Sequence, residues 1–81
     1  MCMSVKKDME YVIRNEEMFG SAIREFRHEA GVRQADLAES LDMHRTYLSA
    51  IENGKSGPAM RSIMRALREL GLEVVVRPAR R

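Results

Sequence analysis

Residues 34–54 read QADLAESLDMHRTYLSAIENG and contain two short amphipathic stretches separated by a turn. The spacing of apolar residues predicts one helix over residues 34–41 and a second over residues 44–53. Asn53-Gly54 is a typical left-handed helix stop. Two short helices joined by three or four residues form a helix-turn-helix unit. The side chains expected to point inward are Leu37, Ala38, Leu41, Leu48 and Ile51.

A further helix is predicted on each side of this unit. Asn15 is a suitable N-cap for a helix that Gly31 ends, and Pro58 suits the first turn of a helix that Gly71 ends. We therefore expect an N-terminal arm over residues 1–14, a helical domain over residues 15–71, and a strand with a basic tail over residues 72–81. The apolar faces expected for the two helices are Phe19, Ala22, Ile23, Phe26 and Ala30, and Met60, Ile63, Met64, Leu67 and Leu70.

The β-branched run LEVVVR at residues 72–77 predicts a short strand. A lone strand leaves backbone donors and acceptors unpaired, which costs free energy unless another edge pairs with it. The simplest partner is the same strand of a second copy, running antiparallel about a two-fold axis. The alternative partner is the segment from Tyr11 to Ile13. The predicted dimer interface comprises Leu72, Val74, Val75 and Val76.

Length and composition restrict the class of protein. A chain of 81 residues, 44% hydrophobic with 5% aromatic residues, has room for one domain with a small aliphatic core. Two histidines and the single Cys2 give neither a nucleophile–base spacing nor a metal-ligand set, so we expect no enzyme, no metal and no other cofactor. The absence of a long apolar run and the charged start MCMSVKKDMEY predict a cytoplasmic protein without a membrane span.

Charge is distributed unevenly along the chain. Residues 1–44 hold six Lys/Arg and nine Asp/Glu, a net charge of −3, whereas residues 45–81 hold eight and three, a net charge of +5. A basic second half favours a polyanion or an acidic partner, although segregation of this size also occurs on inert surfaces.

A helix-turn-helix unit binds DNA by laying its second helix in the major groove. The residues of that helix that face away from Leu48 and Ile51 are therefore expected to read bases, and an arginine at its start suits guanine. Gln34, at the start of the helix before it, lies where exposed backbone N–H groups attract anions. The base-reading residues are predicted to be Arg45, Thr46, Ser49 and Ala50, with phosphate contacts from Gln34, His44, Tyr47 and Arg61.

Residues 19–70 resemble the Cro/XRE-type helix-turn-helix family, which includes lambda-like phage repressors. The resemblance implies an all-α, lambda repressor-like domain of four helices, in which Glu52 pairs with Arg27. It also implies that Asn53, Lys55 and Ser56 contact phosphates. Asp42 departs from the family, which has Gly at this turn, but we expect the turn to be kept because aspartate tolerates the left-handed conformation better than most residues. The matching positions are Gly20, Ile23, Arg24, Arg27, Gly31, Gln34, Leu37, Ala38, Leu48, Ile51, Glu52 and Gly54.

The ending LGLEVVVRP resembles HipB-type antitoxins, in which a C-terminal strand pairs across a dimer. The two resemblances together imply a homodimeric repressor that binds an inverted repeat in double-stranded DNA. They also imply an autoregulating antitoxin, with a HipA-like kinase toxin as a further partner. Two alternatives stay open: a phage-type repressor or restriction–modification controller, and a protein-interaction module that has lost DNA binding.

Overall fold

A computed structural model describes residues 9–79 and contains four helices and a two-stranded antiparallel sheet. This arrangement confirms the predicted four-helix domain. The elements in chain order are β1 (Tyr11–Ile13), α1 (Glu16–Glu29), α2 (Gln34–Ser40), α3 (Arg45–Glu52), α4 (Pro58–Glu69) and β2 (Val74–Val76).

The predicted helix boundaries are largely confirmed. The side chain of Asn15 caps α1 by accepting a hydrogen bond of 2.8 Å from the Met18 N–H, and Pro58 is the first residue of α4. Each helix ends in the same way: a residue with positive φ follows the C-cap, and the next N–H returns to a carbonyl in the last turn. The positive-φ residues that follow the four C-caps are Gly31, Asp42, Gly54 and Gly71.

Asp42 occupies the positive-φ position after the C-cap of α2, which glycine occupies after the other three helices. Its φ is 53°, and the N–H of Met43 bonds to the carbonyl oxygen of Ala38 at 2.9 Å. The prediction that the turn survives without glycine is therefore confirmed. Aspartate tolerates the left-handed region better than most residues because its short polar side chain bonds locally.

Substitution of Asp42 tests how much strain this turn contains. We expect Asp42→Ala to lower the free energy of unfolding by about 1 kcal/mol, since alanine has no local polar compensation at positive φ. Asp42→Gly is the matched control and should leave the free energy of unfolding equal to or above that of the wild type. Urea denaturation followed by circular dichroism measures both, and an Asp42→Ala variant as stable as the glycine variant would contradict the prediction.

The strand β2 is not alone, and its partner is β1 of the same chain. Tyr11 pairs with Val76, Val12 with Val75, and Ile13 with Val74, in antiparallel register. The expectation that β2 has no partner within its own chain was therefore wrong: the alternative partner, Tyr11–Ile13, pairs with one edge of β2, and pairing with a second copy stays a prediction. Residues 11–13, assigned above to an N-terminal arm, belong to the folded domain.

Core packing explains why the two strands pair. Ile13 is buried with Ala22 and Met64, and the inward side chains of both strands pack against this cluster. The ring of Tyr11 meets that of Phe26 edge to face, with centroids 5.3 Å apart. Pairing with β1 thus satisfies the backbone groups on one edge of β2 and at the same time closes the apolar core. The partly buried residues around the core are Tyr11, Phe19, Met60, Leu67, Val74 and Val76.

Three residues predicted to face inward are exposed. Leu41 lies at the C-cap of α2, beyond the last helical turn that reaches the core. Ile63 and Leu70 of α4 are 53% and 72% exposed. The reason is that α4 directs a neighbouring stripe, made of Met60, Met64 and Leu67, toward the core.

Candidate nucleic-acid interface

The helix α3 is held against α1 by a close approach of their backbones. Gly20 of α1 is buried against the carbonyl groups of Ile51 and Glu52. A Cβ at Gly20 would lie 2.8 Å from the Glu52 carbonyl oxygen and closer still to that of Ile51. Residue 20 therefore needs the absence of a side chain, and this fixes the end of α3 on the scaffold.

A buried ion pair fixes the same end of α3. The Arg27 guanidinium donates through Nε to Oε2 of Glu52 at 2.8 Å and through Nη2 to Oε1 at 3.0 Å. Its Nη1 donates to the carbonyl oxygen of Val32 at 2.9 Å. Glu52 is 3% exposed, so its charge is neutralised inside the protein. The predicted pairing of Arg27 with Glu52 is thereby confirmed.

Gln34, the first residue of α2, extends this network to the first residue of α3. Its Nε2 donates to Oε1 of Glu52 at 3.2 Å, and its Oε1 accepts from Nε of Arg45 at 3.3 Å. The order of donors is thus Arg45 to Gln34 to Glu52, with Arg27 donating to the same carboxylate. The sequence predicted a phosphate contact for Gln34 but not this bridge. The available signal was that Gln34 and Arg45 are each the first residue of their helices.

The residues predicted to read bases lie on one side of α3. Arg45 and Thr46 are exposed in its first turn, while Ser49 and Ala50 are partly buried one turn later. Leu48 is buried on the opposite side, as the sequence predicted. The structure therefore brings these four residues together on a face that a major groove can accept.

Four of the residues predicted to contact phosphates lie near the two ends of α3. His44 and Tyr47 are exposed, and His44 is the N-cap residue of α3, although its side chain makes no capping hydrogen bond. Asn53 uses its Nδ2 to donate to the Ser49 carbonyl oxygen at 2.8 Å, and Lys55 is exposed next to it.

Ser56 and Arg61 converge on an acid of α1. The Ser56 hydroxyl donates to Oε2 of Glu16 at 3.0 Å, and Nη1 of Arg61 lies 3.7 Å from Oε1 of the same carboxylate. Both predicted phosphate contacts are thus engaged within the chain, between the starts of α1 and α4. Arg61 remains 61% exposed, so its guanidinium is still accessible from solvent.

An exposed ion pair lies at the start of α2. Nε of Arg33 donates to Oδ2 of Asp36 at 2.8 Å. This hydrogen bond, assisted by the guanidinium charge, lowers the pKa of Asp36 below its ordinary value. The contribution of the Arg33–Asp36 ion pair to stability is therefore present above the ordinary pKa of aspartate. It is lost as the pH falls through the lowered pKa of Asp36 in the folded protein. Because both groups are exposed, that contribution is small.

Within residues 9–79, no group of three or more His, Cys, Asp or Glu residues is placed to hold a metal ion. No helix in that part of the chain has the length and apolar character needed to cross a membrane.

The candidate interface for nucleic acid is the outer side of α3. Contacts with α2 and the buried Arg27–Glu52 ion pair fix the position of this helix. Such an arrangement defines the helix-turn-helix class of DNA-binding domains.

Comparison with known proteins agrees with this class. Residues 18–79 match the family described as helix-turn-helix domain, and the chain belongs to that family. The ImmF control region 10 kDa protein of Bacillus phage phi105 is 37% identical over 57 residues. These residues are 70% of this chain and 63% of the relative, so the chain spans less than two thirds of the relative's length. No solved structure matches the sequence.

Proposed function

We propose that this helix-turn-helix protein is a transcriptional repressor that reads specific DNA through α3. The observation that supports it is the position of Arg45, which lies on the exposed start of α3 and donates to Gln34. Gln34 is in turn tied to the buried Glu52 carboxylate. An arginine that is positioned before binding loses less conformational entropy when it bonds to O6 and N7 of guanine.

In this proposal, Arg45 reads bases together with the second residue of α3 and with residues of the next helical turn. Thr46, Ser49 and Ala50 face the base edges, and polar residues around them contact the phosphates on either side. Base contacts supply specificity, whereas phosphate contacts supply affinity and register. The proposed phosphate contacts are Gln34, His44, Tyr47, Asn53, Lys55, Ser56 and Arg61.

A single recognition helix covers only half of a typical operator, so we propose that the protein acts as a homodimer. The two α3 helices would enter successive major grooves of an inverted repeat, about 34–36 Å apart. Repression follows from occupation of promoter DNA and needs no catalytic step. The proposed location is the cytoplasm, where bacterial and phage operators are accessible.

Fluorescence anisotropy with the DNA upstream of the protein's own gene tests this proposal. We expect binding to the upstream DNA to be about 10³-fold tighter than to scrambled DNA, and to weaken steeply between 50 and 200 mM salt. Equal affinity for both DNAs at both salt concentrations would contradict specific autoregulation. No binding at low salt would instead favour the protein-interaction module.

The variant Arg45→Ala tests the role of α3. We expect it to lower affinity for the upstream DNA by roughly 5- to 150-fold, corresponding to about 1–3 kcal/mol, with a smaller effect on scrambled DNA. Arg77→Ala is the matched control, because it removes the same charge from an exposed position beyond β2. If both variants lower specific binding equally, Arg45 contributes charge rather than base recognition.

Three biological settings fit a small repressor of this kind. The name of the phage relative contains the words "control region", which favours a phage-type regulator. A restriction–modification controller would bind DNA in the same way. The resemblance of the ending LGLEVVVRP to HipB-type antitoxins instead supports the antitoxin of a toxin–antitoxin pair. The antitoxin role would be supported if a gene for a HipA-like kinase lay directly downstream and its product co-purified with this chain. An isolated prophage locus would support the role of a phage regulator.

A further inference from the structure

Besides the stripe that packs on the core, α4 has a second apolar stripe that is exposed. We call Ala59, Ile63, Ala66 and Leu70 the α4 stripe. All four are exposed, and their spacing of four, three and four residues places them along one side of the helix. Ile63 and Leu70 are among the most exposed large apolar residues in the described part of the chain. Exposed apolar rows of this kind commonly mark protein interaction sites.

The spacing indicates that the partner is another helix. Apolar residues that alternate at intervals of three and four form the contact seam of paired helices, in which each side chain inserts between residues of the partner. The basic residues of α4 lie outside the stripe, at Arg61, Arg65 and Arg68. A second helix packed on the stripe would therefore leave the charges of that basic row in water.

From this pattern we propose that the α4 stripe is the surface through which two copies of the protein associate, with their α4 helices antiparallel about a two-fold axis. The inference rests on the homodimer proposed above and assigns its interface. It differs from the interface expected from the sequence, because Val74 and Val76 pack against the chain's own core and one edge of β2 pairs with β1.

Side-chain size supports the antiparallel direction. With the axis between residues 63 and 66, Ile63 faces Ala66 of the second copy, and Leu70 faces Ala59. Each large side chain then meets a small one, the combination that fills a helix interface evenly. A parallel pair would place Ile63 on Ile63 and Ala66 on Ala66, leaving alternately crowded and empty layers.

The polar flank of the stripe supports the same direction. Ser62 and Glu69 lie on the side of the stripe away from Met60 and Leu67. In an antiparallel pair, Ser62 of one copy lies beside Glu69 of the other, where a hydroxyl donates to a carboxylate. Because residues 62 and 69 are seven apart in one helix, they do not contact each other within a monomer.

Sedimentation equilibrium without DNA tests the interface. We expect the wild type to reach twice its 9.3 kDa monomer mass over a micromolar concentration series. Ile63→Lys and Leu70→Lys should each raise the dimer Kd by about 30-fold or more. Both sites are exposed, so circular dichroism should show an unchanged fold. Val75→Lys, on the exposed outer face of the sheet, is the matched control and should leave the Kd unchanged.

The direction of the helices is tested by charge at residue 62. Ser62→Lys should lower the dimer Kd by attracting Glu69 of the second copy, and Ser62→Glu should raise it. Equal Kd values for these two variants would overturn the antiparallel arrangement.

The variants also separate this interface from the other proposals. A dimer weakened by Val75→Lys but not by Ile63→Lys would overturn the α4 stripe and retain the homodimer. A monomer at every concentration would overturn both. Specific DNA binding is measured separately by anisotropy, so neither result depends on it.

Discussion

Replacing Arg27 with methionine is expected to destabilise the protein by about 3–5 kcal/mol. The side chains of Arg27 and Glu52 are only 10% and 3% exposed, and the guanidinium makes two of the hydrogen bonds that the carboxylate receives. Removing one partner of a buried ion pair leaves an uncompensated charge out of contact with water. Only the weaker hydrogen bond from Gln34 would remain on the Glu52 side chain. Urea denaturation measures the loss.

The control for this substitution is Arg33→Met, which breaks an ion pair of the same length on the surface. Both members of the Arg33–Asp36 pair are exposed and screened by water, so the loss of this pair should lower the free energy of unfolding far less than the loss of the buried pair. The double variant Arg27→Met/Glu52→Leu should recover most of the stability, because no buried charge is left unpaired. An Arg27→Met variant that loses no more stability than Arg33→Met would contradict the prediction.

The double variant also separates folding from recognition. It removes the carboxylate to which Gln34 donates, and Gln34 is the residue that accepts the hydrogen bond from Arg45. We therefore expect a folded protein whose specific DNA affinity is lower than that of the wild type. Unchanged affinity would show that Arg45 does not depend on the buried pair for its position.

Gly20→Ala is expected to destabilise the protein by about 3 kcal/mol, although alanine is the better helix former by about 1 kcal/mol. The added Cβ would collide with the carbonyl groups of Ile51 and Glu52, which are backbone atoms and move only if α3 shifts. Thermal and urea denaturation both report the change. Weaker specific DNA binding should accompany it, since α3 is the element displaced.

Gly31→Ala separates this collision from ordinary glycine effects. Gly31 has a φ of 70°, and a Cβ there meets nothing within 4 Å, so only backbone strain of about 1–2 kcal/mol is expected. A Gly20→Ala variant that is as stable as the wild type would show that α1 and α3 do not approach as closely as described.

Local chemistry made much of this fold predictable. The Asn15 cap, the Pro58 start and the residues after each C-cap act through bonds within a few residues, so the sequence displays them directly. The helix pair over residues 34–54 and the outward position of Arg45 and Thr46 follow from helical periodicity around Leu48. The Arg27–Glu52 pair was predictable only because the residues resemble a known family.

Features that depend on contacts between distant parts of the chain were harder to predict from the sequence. The pairing of β2 with Tyr11–Ile13 joins segments more than sixty residues apart, and both candidate partners satisfied the same hydrogen-bonding requirement. On α4, the stripes through Met64 and through Ile63 are both apolar, so periodicity alone does not say which one faces the core. The Gln34–Arg45 hydrogen bond requires the relative placement of two helices.

DNA recognition by α3 is tested most directly by backbone amide NMR of the labelled protein, titrated with the DNA upstream of its gene at low salt. We expect the largest shift changes at residues 45–50 and at the start of α2, with the amides of β1 and β2 nearly unchanged. Changes concentrated on α4 and the sheet, or no changes at all, would contradict the assignment of α3 as the DNA-reading helix.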